Sequence, residues 1–295
     1  MANSVQHIST VEVIAYDEGT KPVQILYNTW APRPHFIIVQ RQPKQDATRD
    51  DFQATFEIIG LFLVQNSQFA DEAILSIHCG SWYQIHAPKW HVRLCVPEKP
   101  YLENAKKHIT EIPNNKPWHD ARSVEEAMSN WFRKNQINYT KYKNECILKN
   151  IPDHTSVESI PLSTFNSTSN EFTLVWLPST PRIGIVAQSP GLTKLASLYE
   201  FMEKTRVDME KKLSACDPSF AEFGCHLCLY VHGQLDTVIT PRSGRIFKEN
   251  GEITENPNIV GYIQMDESQY VTWLPHNLRR TWLDEFGRVD HFVRT

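Results

Sequence analysis

The sequence predicts an α+β protein built of two tandem units, each an antiparallel sheet with a packed helix. Three observations lead there. Short runs in which apolar and polar residues alternate, bounded by Pro, Gly or Asn, have the period of half-buried strands. Two longer stretches, 50–65 and 195–209, carry apolar residues three and four apart, the period of a helix with one buried face. The order strand, Pro-containing turn, strand, helix, strand, strand then occurs twice, with Pro34 and Pro181 about half the chain apart.

The first copy opens with "QILYNTWAPRPHFIIV" at 24–39, the second with "TLVWLPSTPRIGIV" at 173–186. Phe52, Phe56, Ile59 and Leu63 then mark an amphipathic helix that begins at the acidic pair Asp50 and Asp51. Leu195, Leu198, Met202, Thr205 and Met209 mark its counterpart. Each helix leads through a polar turn into a β-rich run, "EAILSIHCG" at 72–80 and "GCHLCLYVHG" at 224–233. A further strand ending in Pro follows each, "HVRLCVP" at 91–97 and "LDTVITP" at 235–241.

Between the copies, Ser123 and Glu126 form a capping box for a helix with Val124, Met128 and Trp131 on one face. The Pro-, Ser- and Thr-rich stretch 152–170 reads as a linker, dividing the chain into units 1–155 and 156–295. Near the end, a turn is expected at Glu249-Asn250-Gly251 and strands near 258–264 and 269–274. "LRRTWLDEF" is a short helix whose Arg279 and Arg280 suit a solvated face.

A net charge of -4 and a pI near 6.3 argue against a duplex-DNA binder that works by bulk electrostatics. The N-terminus lacks a basic segment followed by an apolar run, and "IIGLFLV" is too short to span a bilayer. The expectation is an intracellular protein, cytoplasmic rather than nuclear, with no membrane partner and its six cysteines reduced. No Walker loop, Gly-x-Gly-x-x-Gly, Gly-x-Ser-x-Gly or His-Glu-x-x-His occurs, and no cofactor is implied.

The chemistry concentrates in "HAPKWHVRLCV", 86–96. His91, Arg93 and Cys95 alternate with Val92, Leu94 and Val96, so one strand face is polar and the other packed. With the order of elements, this segment resembles the histidine triad (HIT) superfamily, which carries His-φ-His-φ-His-φ on the equivalent strand. The resemblance covers most of 20–97 and, more faintly, 170–241. It implies two sheets joined side by side across a pseudo-twofold axis, as in dimeric members, and a polar face turned toward an α-phosphate. In the family the middle histidine is the nucleophile. Here that position is Arg93, flanked by His91 at the first and Cys95 at the third, so one histidine of three is kept. Arginine is permanently charged and has no lone pair to attack phosphorus, but it grips phosphate with paired N–H donors. The second copy offers Leu235, Thr237 and Ile239 at these positions. Gly80 stands for the glycine that many members carry shortly before the motif, and Ala87 falls where a polar residue is usual.

The resemblance therefore implies a catalytically impaired module that binds a nucleotide, an RNA 5′ end or a protein partner. Its ligand-binding residues would be His91, Arg93, Cys95, His86, Lys89, Trp90 and His78. Two alternatives stay open: an active nucleotide phosphohydrolase or nucleotidyltransferase using His91 or His86 as an unorthodox catalytic residue, and a scaffold subunit of an intracellular complex whose pocket Trp82 or Trp90 fills. His78, Cys79, His86, His91 and Cys95 are zinc-ligand types, yet they match no metal spacing, and no metal is assigned. Cys225 and Cys228 form a Cys-x-x-Cys, but in a strand they face opposite ways and read as core thiols.

Overall fold

The computed structural model describes residues 12–42, 47–86, 90–142, 156–166, 171–178, 180–188, 193–231, 238–239 and 241–285. In the first half the strands are β1 (Ile14–Tyr16), β2 (Val23–Tyr27), β3 (His35–Gln40), β4 (Ile74–Cys79) and β5 (His91–Cys95). The helices interleaved with them are α1 (Arg49–Gln65), α2 (Ser81–His86), α3 (Glu98–His108) and α4 (Val124–Tyr142). Then come α5 (Ser163–Asn166), β6 (Phe172–Trp176), β7 (Arg182–Ala187), β8 (Thr193–Lys194), α6 (Leu195–Cys216), β9 (Cys225–Tyr230) and β10 (Val238–Ile239). The chain goes on through β11 (Arg242–Phe247), β12 (Ile253–Met265), α7 (Glu267–Trp273) and α8 (His276–Glu285).

The α+β class is realised as one ten-stranded antiparallel sheet, ordered β1-β2-β3-β5-β4-β9-β12-β7-β6, with β11 paired to β12. The path β2-β3-β5-β4 repeats, in the same chain order, as β6-β7-β12-β9, and the two runs meet where β4 pairs β9. Ser76 lies opposite Cys228 at the centre of that seam, Ile77 opposite Leu227 and Leu75 opposite Leu229. These reciprocal pairs place a local twofold relation through Ser76 and Cys228.

One face of the sheet is covered by α1 and α6. Phe56, Ile59 and Leu63 of α1 and Leu198, Met202 and Met209 of α6 are buried, as their spacing predicts. They share a continuous apolar cluster with Val92 and Leu94 of β5 and Leu227 and Leu229 of β9. Phe52 stacks on Tyr199 at 4.7 Å, tying one helix to the other. The start of α1 is more specific than its acidic pair suggested. Thr48 is the N-cap, and the buried Asp51 carboxylate accepts from Thr48 N, Thr48 Oγ1 and Gln40 Nε2. In α4, Ser123 Oγ accepts from Glu126 N, while the Glu126 carboxylate reaches back to Arg122 N, one residue beyond the expected partner.

Several expectations are corrected. The strand expected at 235–241 falls mostly outside the described residues, and its described part, Val238–Ile239, pairs β8 rather than the large sheet. The position between β9 and β7 belongs to β12, so in the second half Tyr262 is the counterpart of Arg93 and Gln264 the counterpart of Cys95. β12 takes that place with residues buried on both faces, Val260 and Ile263 toward the helices and Ile259 and Tyr262 on the other side, whereas "LDTVITP" carries an Asp and two Thr. The strand expected near 269–274 is instead helical through Trp273, as part of α7, because Asp266 caps that helix, accepting from Ser268 N at 2.9 Å. The described part of the expected linker, 156–166, is packed: Val157, Leu162 and Phe165 are buried, and Ile160 O accepts from Trp273 Nε1. Arg279 is likewise buried rather than solvated, ion-paired to Glu158.

Among the described residues no helix is long and apolar enough to cross a membrane. Cys79, Cys95, Cys216, Cys225 and Cys228 are reduced thiols, and Cys225 and Cys228 are buried on opposite faces of β9.

Candidate functional site

Alternation along β5 sends Val92 and Leu94 to the helix side and His91 and Arg93 to the open face of the sheet. Lateral register then builds a site that no single strand contains. Ser76 of β4 pairs with Arg93, His226 of β9 with His78, Gln264 of β12 with His226, and Arg182 of β7 with Gln264. His91, His78, His226, Gln264 and Arg182 thereby form one row across five strands. The imidazoles touch: His78 is 4.3 Å from His226 and 5.0 Å from His91 between ring centroids.

The row is roofed by α2. Gly80, with φ of 98°, lets the chain turn sharply after β4, and a Cβ there would collide with Phe223 O. The turn sets Tyr83 over the row, its ring 4.5 Å from His78 and its hydroxyl hydrogen-bonded to His226 Nε2. The other nitrogen of His226 is 3.4 Å from Ser76 Oγ.

Three arginines converge here. Arg33, in the turn before β3, stacks over Trp131, and Arg182 stacks over Tyr262 while its Nε donates to Gln264 Oε1. Arg93 makes no hydrogen bond or ion pair among the described residues. Burial lowers its pKa, and burial with the Arg93 charge brings Arg33 down to about 10. Among the described residues no carboxylate is found acting on either arginine; the acidic groups around Arg93 are the thiols of Cys95 and Cys228 and the phenol of Tyr83.

The imidazoles are correspondingly held neutral. Burial first, then the fields of Arg93, Arg182 and Arg33, push His226 down to about 3. Burial and the neighbouring His226 and Arg93 push His78 far below the usual imidazole range, and burial with Arg93 and Arg33 does the same to His35. Cys95 is buried, its thiol pushed up to about 12 by that burial, so it floors the site as a neutral group.

Buried polar atoms without a partner cluster in the same place: Arg33 Nε, His35 Nδ1, His78 Nε2 and Arg182 NH2. His35, 1 % exposed, is the most telling. Asn28 Oδ1 accepts from Trp30 N and Ala31 N, which turns Asn28 Nδ2 toward His35 Nε2 at 2.8 Å. His35 Nε2 is then the acceptor and Nδ1 carries the hydrogen, a buried donor with no acceptor. Arg182, 7 % exposed, leaves a guanidinium N–H in the same condition. Unanswered donors beside uncompensated cations are what an anion would satisfy.

A groove of about 560 Å³ opens beside His226, lined also by Trp82, Tyr83, Gln264, Glu222, Asp266 and Glu267. It is large enough for a small organic ligand.

Of the residues expected in the site, the structure brings His91, Arg93, Cys95 and His78 together. Trp90 is corrected: one residue out of phase with His91, it turns to the helix side and packs edge-on against Phe52. Trp82, 41 % exposed, lines the groove beside His226. Lys89 lies outside the described residues, and of His86 only the backbone at the end of α2 is described. Sequence reasoning missed His35, Arg33, Tyr83, His226, Gln264 and Arg182. The repeat itself held the signal for three of these, since pairing the two halves edge to edge brings β9, β12 and β7 alongside the motif. Among the described residues no group of His, Cys, Asp and Glu could hold a metal ion.

Comparison with protein-family models, curated proteins and solved structures finds no match for this chain.

Proposed function

We propose that the protein is a HIT-like binding module that holds the phosphate of a nucleotide or of an RNA 5′ end on the open face of its central sheet, without nucleotidyl transfer. One observation carries this reading: Arg33, Arg93 and Arg182 converge with buried, unanswered N–H donors, and no described carboxylate balances Arg33 or Arg93. Arg93 supplies the two-pronged grip, and it stands where the histidine triad places its nucleophile. The adjoining groove has room for the rest of such a ligand.

The test is calorimetric titration of the wild type and Arg93→Ala with mononucleotides, dinucleoside polyphosphates and 5′-phosphorylated or capped RNA, with product analysis of the same mixtures. Binding that depends on Arg93 with no product supports the module. A second reading, an enzyme with a displaced nucleophile, is favoured by one feature: His78 is held neutral beside Arg93 and so keeps its lone pair. Turnover by the wild type would establish it.

A further inference from the structure

His226 is held between two hydroxyls, Tyr83 O–H at Nε2 and Ser76 O–H at Nδ1, and both hydroxyls border Arg93. A neutral imidazole has one donor and one acceptor nitrogen, so it accepts from one hydroxyl and donates to the other. The hydrogen of the first hydroxyl is then consumed by His226. A protonated imidazole donates from both nitrogens, so both hydroxyls become acceptors toward His226: the Tyr83 hydrogen is released toward the space beside Arg93, while Ser76 turns its hydrogen to the Cys228 thiol it also bonds.

We propose that anion binding at this site is coupled to proton uptake by His226, which turns Tyr83 into a donor for the bound anion. The inference rests on the phosphate-binding reading above. Within the protein alone the proton is repelled. Arg93 and His91 face His226 from β5, His78 from β4, Arg182 from β7 and Arg33 from the turn before β3. Tyr83 covers it from α2, Cys228 lies two residues along β9, and Glu222, Asp266 and Glu267 share its groove. A dianion seated between the guanidinium groups reverses the local field and gives the Tyr83 hydroxyl an acceptor, so the same proton becomes favourable. By linkage, whatever raises the affinity of His226 for a proton when the anion binds raises the affinity for the anion when the proton binds.

The experiment uses the full chain and sulfate, a tetrahedral dianion that does not itself titrate over the working range of about pH 5.5 to 8. Binding heats are measured at one pH in buffers of differing ionisation enthalpy, which reads the protons taken up, and the dissociation constant is followed across pH. The expectation is uptake of about one proton per sulfate, with affinity rising up to about tenfold per pH unit as pH falls. His226→Gln should bind sulfate with a flat pH profile, and Tyr83→Phe should keep the uptake but bind more weakly. Sulfate binding by the wild type that needs Arg93 yet shows no buffer-dependent heat would overturn the coupling and leave the phosphate-binding reading standing. Uptake that persists in His226→Gln would overturn the assignment to His226. No wild-type binding at any pH would overturn both.

Discussion

His78 and His226, one from each half of the chain, face each other across the β4–β9 seam with ring centroids 4.3 Å apart and planes inclined by 32°. Two imidazoles that close, under arginines, cannot both be charged cheaply. The centre of the molecule is therefore a place where folding holds histidines neutral, which makes stability depend on pH.

Between about pH 3 and 6.5 the unfolded chain protonates His226 and the folded chain does not. Protons bound preferentially to the unfolded state destabilise the fold, so stability falls as pH drops through that window, and His78 and His35 push the same way. Thermal melts from pH 7.5 downward, an interval of about three units, should show Tm declining well before carboxylates titrate. His226→Gln should lessen the decline; an unchanged slope would contradict it.

Glu267 has the opposite sign. Burial, with Asp266 beside it, pushes its carboxyl up to about 7, above its unfolded 4.5, so the folded state binds the extra proton and loses stability as pH rises from 4.5 through 7. Glu267→Gln keeps the shape without the charge. It should stabilise the protein by about 1–2 kcal/mol at pH 8 and by little at pH 4, read from denaturant midpoints at the two pH values.

Arg93 is expected to cost stability. It is largely buried, close enough to Arg33 to lower the pKa of that group, and unpaired among the described residues. Arg93→Met should raise stability by about 1–3 kcal/mol while abolishing anion binding. A lower Tm in this variant would mean that the guanidinium has a structural partner.

The seam should unfold with the whole molecule. Leu75 and Leu229 oppose each other across it, both fully buried in a cluster that runs continuously beneath the two halves. Leu229→Ala should cost about 2–5 kcal/mol. Far-UV circular dichroism and fluorescence of the buried Trp118, Trp273 and Trp282 should still report one coincident transition. Separate transitions would mean that the halves fold independently.

The long-period features were legible in the chain. Phe56, Ile59 and Leu63, and Leu198, Met202 and Met209, are buried because a helix against a sheet must bury one stripe, and that requirement is written in the spacing. The alternation His91, Arg93, Cys95 announced a polar face for the same reason. Identity between β12 and "LDTVITP" was not legible, because period two marks a strand without saying which neighbours it takes; burial on both faces decided that. Trp90 was misplaced by a one-residue change of phase, which in a strand is a change of face.

The sequence by itself determined that there are two β-rich halves with a helix each, and that one strand carries His91 and Arg93 on a single face, because both follow from local periodicity. Only the tertiary structure decided that His226, Gln264 and Arg182 complete the row that His91 and His78 begin. Lateral strand order joins residues well over a hundred positions apart, and the forces that set it are the burial of both faces of β9 and β12 and the backbone pairing of β4 with β9 along the seam. No short window of sequence contains either.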